Sequence, residues 1–325
     1  MYIESINTLR GDKKEAWTAL LSKCGLTPAQ VAFTVLIWEG DQLVATGSRE
    51  GHILKCIAID PAFQGQDLTA TLLTQLRQDA FRAGCDHLFL YTKPQNAQLF
   101  ASLFFYPVAQ TGDVLLMEDK AQGILHFLSS YAPPEQPCGA IVMNADPVTL
   151  GHQYLAETAA GMCEHLLIFV LSEDKGHFPA AHRLELVRRG TAHIPNVTVL
   201  PTGPYLISSA TFPTYFLKDR DQAGDIQCML DVEIFTRHFA PYFSITRRFV
   251  GTEPLSPLTA RYNHILKATL PAAGIEVVEL PRLEAGGKPI SASAVRAAVA
   301  AGDKETLRAL VPESTFAYLF KEEAL

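Results

Sequence analysis

Basic charge, long apolar runs, paired cysteines and repeats are all scarce in this chain of 325 residues. Lys and Arg number 27 against 34 Asp and Glu, for a net charge of -7. No general affinity for nucleic acid or an anionic membrane is therefore expected, and any phosphate-binding surface must be local. The longest dense apolar run, Leu166 to Leu171, is far short of the roughly 20 residues of a membrane-spanning helix. The opening residues, Met1-Tyr-Ile-Glu-Ser-Ile-Asn-Thr-Leu-Arg10, lack the apolar core of a signal peptide. Cys24, Cys56, Cys85, Cys138, Cys163 and Cys228 lie far apart, with no C-x-x-C pair and no His/Cys cluster at zinc spacing. They read as free, mostly buried thiols in a reducing cytoplasm. What is present, 48% hydrophobic and 19% charged residues, is the makeup of a folded chain of about two domains.

The clearest break is Tyr131-Ala-Pro-Pro-Glu-Gln-Pro137, where three prolines in seven residues exclude a continuing helix. It predicts domains over 1–130 and 138–325 joined by a linker over 131–137. The first part carries 10 basic and 13 acidic residues and the second 17 and 21, so neither is a basic module. Before the break, Val31 to Ile37 and Gln42 to Thr46 flank a turn at Glu39-Gly40-Asp41 and predict a hairpin, followed by a strand over Ile53 to Ile59. A helix over Thr69 to Ala83 and a strand over His87 to Tyr91 complete an antiparallel sheet feeding a strand-loop-helix-strand unit. After the break the pattern alternates: strands over Gly139 to Met143, Leu166 to Leu171, Val197 to Leu200, Ile245 to Val250 and Ile275 to Leu280, with helices between. That alternation predicts an α/β, doubly wound parallel sheet whose ligand sits at the carboxyl ends of the strands.

The loop after the first of these strands reads Met143-Asn-Ala-Asp-Pro-Val-Thr-Leu-Gly-His152. A glycine, an incoming helix N-terminus, and the donors of Thr149 and His152 are the parts of an anion site, although an ordinary βα turn with a packed histidine would look similar. Late in the same domain, Ile290-Ser-Ala-Ser-Ala-Val-Arg296 sets two hydroxyls and a guanidinium at a helix start, with Ser293 read as N-cap and Arg296 one turn on. A capped surface helix would also carry such a motif; the two segments together are far more specific.

These two motifs resemble the paired signatures of the HxGH nucleotidylyltransferase superfamily, with Thr149 in place of the first histidine as in its phosphopantetheine adenylyltransferase branch. The resemblance implies a Rossmann-like domain in which Thr149 and His152 hold the ATP phosphates and stabilise the pentacovalent α-phosphorus, and Ser291, Ser293 and Arg296 grip the triphosphate. Tyr205 to Lys218, Phe249-Val-Gly-Thr-Glu-Pro254 and Thr259-Ala-Arg-Tyr-Asn263, together with the front domain, are similar to the citrate (pro-3S)-lyase ligase family over nearly the whole chain. That family adenylates acetate with ATP and Mg²⁺ and passes the acetyl group to a thiol on the acyl carrier subunit of citrate lyase. The resemblance thus implies catalytic roles for His152, Thr149 and Lys218. Nucleotide contacts would come from Asn144, Asp146, Gly151, Gly251, Ser291, Ser293 and Arg296. Neither a resident metal nor a tightly bound cofactor is implied, and nucleic acid and membrane are not expected partners. Lys175, His177 and Arg183 are candidates for a mobile loop over the triphosphate, closing around Glu173 to Pro179; Glu253 reads equally as a cap, Lys218 equally as a solvated lysine, and Arg188-Arg189 and Arg247-Arg248 as surface pairs.

The front domain, through Ile57 to Leu68 and Asn96 to Tyr106, resembles the GNAT acetyltransferase core, an α+β fold. In that family the strand-to-helix loop wraps the CoA pyrophosphate with backbone amides. Here Asp67 and Thr69 fall on its glycine and small-residue positions, and Phe104-Phe105 on its later Gly-Phe pair. A carboxylate facing a pyrophosphate weakens binding, which suggests a docking role toward the carrier's prosthetic arm, or a structural one. Two rival functions remain open at this point. One is adenylation of a phosphomonoester precursor; the other is a GNAT acetyltransferase with a regulatory nucleotide domain. Whether the carrier belongs to citrate lyase or a related acyl-carrier enzyme is not readable from these residues.

Overall fold

A computed structural model of the chain describes residues 1–174, 176–206 and 220–320. These divide into two compact units, one of residues 1–126 and 220–226, the other of residues 127–174, 176–206 and 227–320.

In the first unit, β1 (Tyr2–Ile6), α1 (Gly11–Lys23), β2 (Phe33–Glu39), β3 (Gln42–Glu50), β4 (Ile53–Ile59), α2 (Leu68–Arg82), β5 (Phe89–Thr92), α3 (Ala97–Ser102), β6 (Tyr106–Gln110) and β7 (Leu115–Glu118) follow in order. The sheet runs β1-β2-β3-β4-β5-β7-β6, with β4 and β5 parallel and the other neighbours antiparallel. The expected hairpin is present but longer than its apolar runs. Glu39 pairs with Gln42 across a two-residue turn at Gly40-Asp41, and β3 continues to Glu50 because β4 gives its second edge a partner. Helix α2 buries Leu68, Leu72, Leu73, Leu76 and Ala80, a 3.6-residue stripe that packs with Val35, Ile37, Val44 and Leu54. The two positions where glycine was expected keep a glycine-like backbone: Asp67 has φ +54° and Phe104 φ +62°.

Helix α4 (Gly123–Ser129) precedes the proline-rich stretch, and β8 (Cys138–Met143) starts directly after it. Then come α5 (Leu150–Ala160), β9 (Leu166–Val170), α6 (Ala180–Thr191), β10 (Val197–Pro201), α7 (Arg220–Ile234), a π-helical turn Phe235–Phe239, α8 (Ala240–Phe243), β11 (Ile245–Gly251), α9 (Pro257–Thr269) and β12 (Glu276–Leu280). A short ribbon, β13 (Glu284–Ala285) and β14 (Lys288–Pro289), leads to α10 (Ala292–Ala301), α11 (Lys304–Leu310) and α12 (Glu313–Leu319). The sheet runs β10-β9-β8-β11-β12, parallel throughout. Apolar side chains cover both faces. On one face Ile141, Met143, Ile168 and Phe249 pack with Ala156, Ala159, Leu186 and Val187 of α5 and α6; on the other, Phe169 meets the rings of Phe239 and Phe243 at 5.4 and 5.5 Å. Each such fully buried side chain contributes about 1.5–3 kcal/mol. Gly139 is required here: a Cβ would sit 2.5 Å from the Phe249 ring. The strand order reverses between β8 and β11, and a crevice opens at that switch point beyond their carboxyl ends.

Three cysteines, Cys56, Cys138 and Cys228, are buried and the other three half-buried, all as free thiols. Burial pushes the Cys56 and Cys138 thiols up to about 12, so both stay protonated and unreactive at neutral pH. Among the described residues no helix is long and apolar enough to cross a membrane.

Candidate active site

The loop after β8 and the start of α5 form one wall of a cavity of ≈ 650 Å³, within the size range of ligand pockets. Thr149 is the N-cap of α5, extended at φ -123° and ψ 164°. Its Oγ1 accepts from the His152 N–H at 3.3 Å, and its own N–H donates to His152 Nδ1 at 3.1 Å. This reciprocal capping box satisfies two of the orphan donors of the helix start. It also fixes the imidazole: with Nδ1 accepting, the proton of the neutral ring resides on Nε2. Burial, aided by the nearby Arg282 cation, lowers the His152 pKa from 6.5 to about 4, so the ring is neutral at pH 7. Gly151 lies between Thr149 and the second motif, where a Cβ would be 3.5 Å from the Ile290 carbonyl oxygen.

Asp146 is almost fully buried at 6% exposure, and its carboxylate is already engaged. It accepts the His177 and Phe178 N–H groups at 3.0 and 2.9 Å and lies 3.2 Å from His177 Nδ1. Burial pushes its pKa up, but those hydrogen bonds prevail and hold it below the usual carboxylate range. The carbonyl of Asp146 accepts from Arg296 Nη1 at 2.6 Å, while Arg296 Nη2 donates to Ser293 Oγ at 3.1 Å. The two motifs, 150 residues apart, thus meet directly through Arg296. Ser291, not Ser293, is the N-cap of α10: its Oγ accepts from the Ala294 N–H at 3.2 Å. The helix begins two residues earlier than a cap at Ser293 implies, because Ser291, just past the β13-β14 ribbon, is the extended residue. Ser293 is left exposed in the first turn, beside the Arg296 fork.

Arg183 corrects the expectation of a mobile contact. It is fully buried on α6 and donates to Asn144 O at 2.6 Å, Asn144 Oδ1 at 2.5 Å, Phe178 O at 3.1 Å and the Glu173 carbonyl. It ties the loop after β9 to the loop after β8, and the described residues of Glu173 to Pro179 are anchored through it and through Asp146. Gly176 permits that junction, since a Cβ there would be 3.1 Å from the Asp146 carboxyl carbon. Neither link has a local signal in the sequence; a buried arginine on an otherwise amphipathic helix is visible only once the loops are brought together. Lys175 and Lys218 lie outside the described residues.

The opposite wall comes from β11. Gly251 ends the strand in open space, with 3.9 Å to the nearest Arg282 atom, and its carbonyl accepts from Asn263 Nδ2 at 2.9 Å. Glu253 accepts the Leu255 and Ser256 N–H groups at 2.9 and 3.0 Å and pairs with Arg282; it therefore shapes the entry to α9, whose N-cap is Ser256. The reading of Arg247-Arg248 as a surface pair holds for one member only. Arg247 bonds Glu276 at the surface at 3.0 Å, whereas Arg248, alternating to the other face, is 2% exposed with its guanidinium 4.5 Å from the Phe235 ring centroid. Asp231 and Tyr262 stand beside it in the cavity wall, the phenol donating to Asp231 Oδ2. Strand alternation carried through both arginines would have flagged one of them as buried.

Two family models match: "Citrate lyase ligase C-terminal domain" over residues 138–319 and "Acetyltransferase (GNAT) family" over residues 7–103. A citrate (pro-3S)-lyase ligase of Klebsiella pneumoniae is 45% identical over 288 residues, 86% of this chain and 84% of that protein. One of Escherichia coli K12 is 39% identical over 302 residues, 90% of this chain and 85% of that protein. A phosphopantetheine adenylyltransferase of Dehalococcoides mccartyi is 43% identical over 56 residues, 17% of this chain and 35% of that protein.

Proposed function

Because the chain belongs to the citrate (pro-3S)-lyase ligase family, we propose that it is an ATP-dependent, AMP-forming ligase that activates citrate lyase by acetylating its acyl carrier subunit. An acetate oxygen attacks the α-phosphorus of ATP, the bond to the bridging oxygen breaks, and pyrophosphate leaves with acetyl adenylate formed. The carrier's prosthetic thiol, losing its proton, then attacks the acetyl carbon and displaces AMP.

The observation that carries this reading is the capping box of Thr149 and His152. It presents a neutral imidazole with a single free N–H at a helix N-terminus, where charge developing on the α-phosphoryl oxygens is stabilised without a covalent intermediate. Arg296, held by the Asp146 carbonyl, adds a fixed cationic fork for the departing pyrophosphate, and Ser291 and Ser293 supply hydroxyls beside it. Asn144, Gly151 and Gly251 line the remaining nucleotide wall; Lys218 is proposed to neutralise phosphate or carboxylate charge. Magnesium is proposed to enter with ATP as part of the substrate. The first unit is proposed to seat the carrier's prosthetic arm, since Asp67 falls on the glycine position of the loop that binds the CoA pyrophosphate in the acetyltransferase family it resembles. A cytoplasmic location fits these substrates and the free thiols.

ATP–pyrophosphate exchange tests the reading. Exchange dependent on acetate, and acetylation of the deacetylated carrier by full-length protein, are expected. Pyrophosphate release with phosphopantetheine and none with acetate would overturn it in favour of a plain nucleotidylyltransferase.

A further inference from the structure

Arg248 has the marks of a group waiting for an anion. It is 2% exposed, Nε is sealed from solvent, and that nitrogen has no hydrogen-bond partner. No ion pair within 4 Å forms between Arg248 and a described residue; the Phe235 ring covers one face of the guanidinium at 4.5 Å. A buried cation left in this state costs several kcal/mol of desolvation unless a partner compensates it, and the cation–π contact returns only about 2 kcal/mol. Nearby stand Asp231, 5% exposed, and Tyr262, whose hydroxyl is spent on Asp231. The side chain nevertheless lines the cavity, together with Asp231, Tyr262 and Cys228.

Building on the ligase reading above, we propose that Arg248 is the carboxylate-binding residue of this site, receiving the short-chain acid that is to be adenylated. Three features favour a small monoanion over a phosphate. Arg248 lies within β11, three residues before its end at Gly251, and by strand alternation on the face opposite Phe249, whereas the Thr149–His152 and Ser291–Arg296 donors sit at the starts of α5 and α10. The nearby Asp231 carboxylate offsets the charge of the guanidinium and repels a dianion about twice as strongly as a monoanion. The planar fork of arginine matches a carboxylate, and Cys228 and Tyr262, which line the same cavity, offer a short alkyl group a largely apolar wall. The charge logic suits the reaction. Arg248 keeps the acid ionised, and therefore nucleophilic, in a water-poor pocket; on attack at the α-phosphorus the acyl oxygen loses its negative charge in the mixed anhydride. The Arg248 contact then weakens and frees the acyl group for the thiol. Asp231, bonded by Tyr262, is a positioning residue that acts on the guanidinium through its charge rather than by direct contact.

The test uses the full chain as wild type, Arg248→Met, Arg248→Lys and Tyr262→Phe, each checked for folding by thermal melting and for ATP affinity. Acetate binding is followed directly by line broadening of ¹³C-acetate without ATP, and acetate-dependent ATP–pyrophosphate exchange is measured in parallel. Arg248→Met should weaken acetate binding and raise the acetate KM by about 10- to 100-fold, the scale for losing a charged hydrogen bond, with the ATP KM within about twofold of wild type. Arg248→Lys should recover part of the loss, and Tyr262→Phe should shift the acetate KM less than Arg248→Met does. Equal acetate affinity in wild type and Arg248→Met, or no acetate binding by wild type in either assay, would overturn the proposal. Acetate-dependent exchange undisturbed in Arg248→Met would leave the ligase reading standing and remove this one. Acetate binding lost in Arg248→Met, with no exchange in wild type, would do the reverse.

Discussion

A neutral imidazole whose Nδ1 is spent on a backbone N–H can donate through Nε2 alone, and that restriction makes His152 testable. Removing one preorganised transition-state donor costs about 10²–10³-fold in rate. His152→Ala should therefore cut acetate-dependent ATP–pyrophosphate exchange by that factor. Its melting transition should remain cooperative, at a stability cost of about 1 kcal/mol for the lost half of the capping box. The depressed pKa sets the pH behaviour. A histidine at about 4 in the folded chain and about 6.5 unfolded takes up its proton in the unfolded state first. Its contribution to stability is present above pH 6.5 and is lost as pH falls toward 4. Thermal melts of wild type should decline across that window more steeply than those of His152→Ala. The exchange rate should show no inflection near pH 6.5 attributable to this ring. A wild-type inflection there that vanished in His152→Ala would contradict the lowered pKa of this ring.

The loops are where elements become a site. Asp146, Gly176, Phe178 and Arg183 form a junction between the β8 and β9 loops: Phe178 bonds Asp146, Arg183 bonds Phe178 and Asn144, and Gly176 packs against the Asp146 carboxyl group. Gly176→Ala inserts a methyl 3.1 Å from the Asp146 carboxyl carbon, an overpacking of the kind that costs about 1–3 kcal/mol. It should lower the melting temperature and raise the ATP KM together, because the same carboxylate holds the loop while the Asp146 carbonyl holds Arg296. A shift in melting temperature with an unchanged ATP KM would separate the junction from the nucleotide site. This junction also marks the limit of what the sequence shows. The parallel strands were legible from their short apolar runs to within one or two residues, because a strand covered on both faces, such as Leu166–Val170, is a nearly continuous apolar run. The first motif was legible because a capping box is local. Arg183 with Asn144, and Arg296 with the Asp146 carbonyl, were not, since their partners lie 39 and 150 residues away. Ser291 and Ser293 are both plausible caps by composition; only the extended backbone at Ser291, set by the preceding ribbon, decides between them.

At the scale of the whole molecule, the proposed adenylation groups among the described residues all fall in the second unit, while the first keeps an acetyltransferase-like sheet with its glycines replaced. Asp67 and Phe104 occupy left-handed backbone, at φ +54° and +62°, that glycine adopts without strain and a bulky residue does not. Phe104 is also 68% exposed, so its ring gains little from burial to offset a conformational cost of about 1–2 kcal/mol. Phe104→Gly should therefore stabilise the protein, by about 1 kcal/mol after the added flexibility of glycine in the unfolded chain is subtracted. Asp67→Gly should be nearly neutral, because aspartate tolerates this region better than an aromatic does. Its consequence should appear in binding. Removing a carboxylate that would face a pyrophosphate lowers an electrostatic barrier, so calorimetry of full-length Asp67→Gly should detect CoA binding stronger than wild type. The acetate-dependent ATP–pyrophosphate exchange, for which no group of the first unit is proposed, should be unchanged. If Asp67→Gly bound CoA no better, the departure at this loop would have to lie in its backbone path rather than its charge. If the substitution altered the exchange rate, the first unit would be acting on adenylation itself and not on the thiol that follows it.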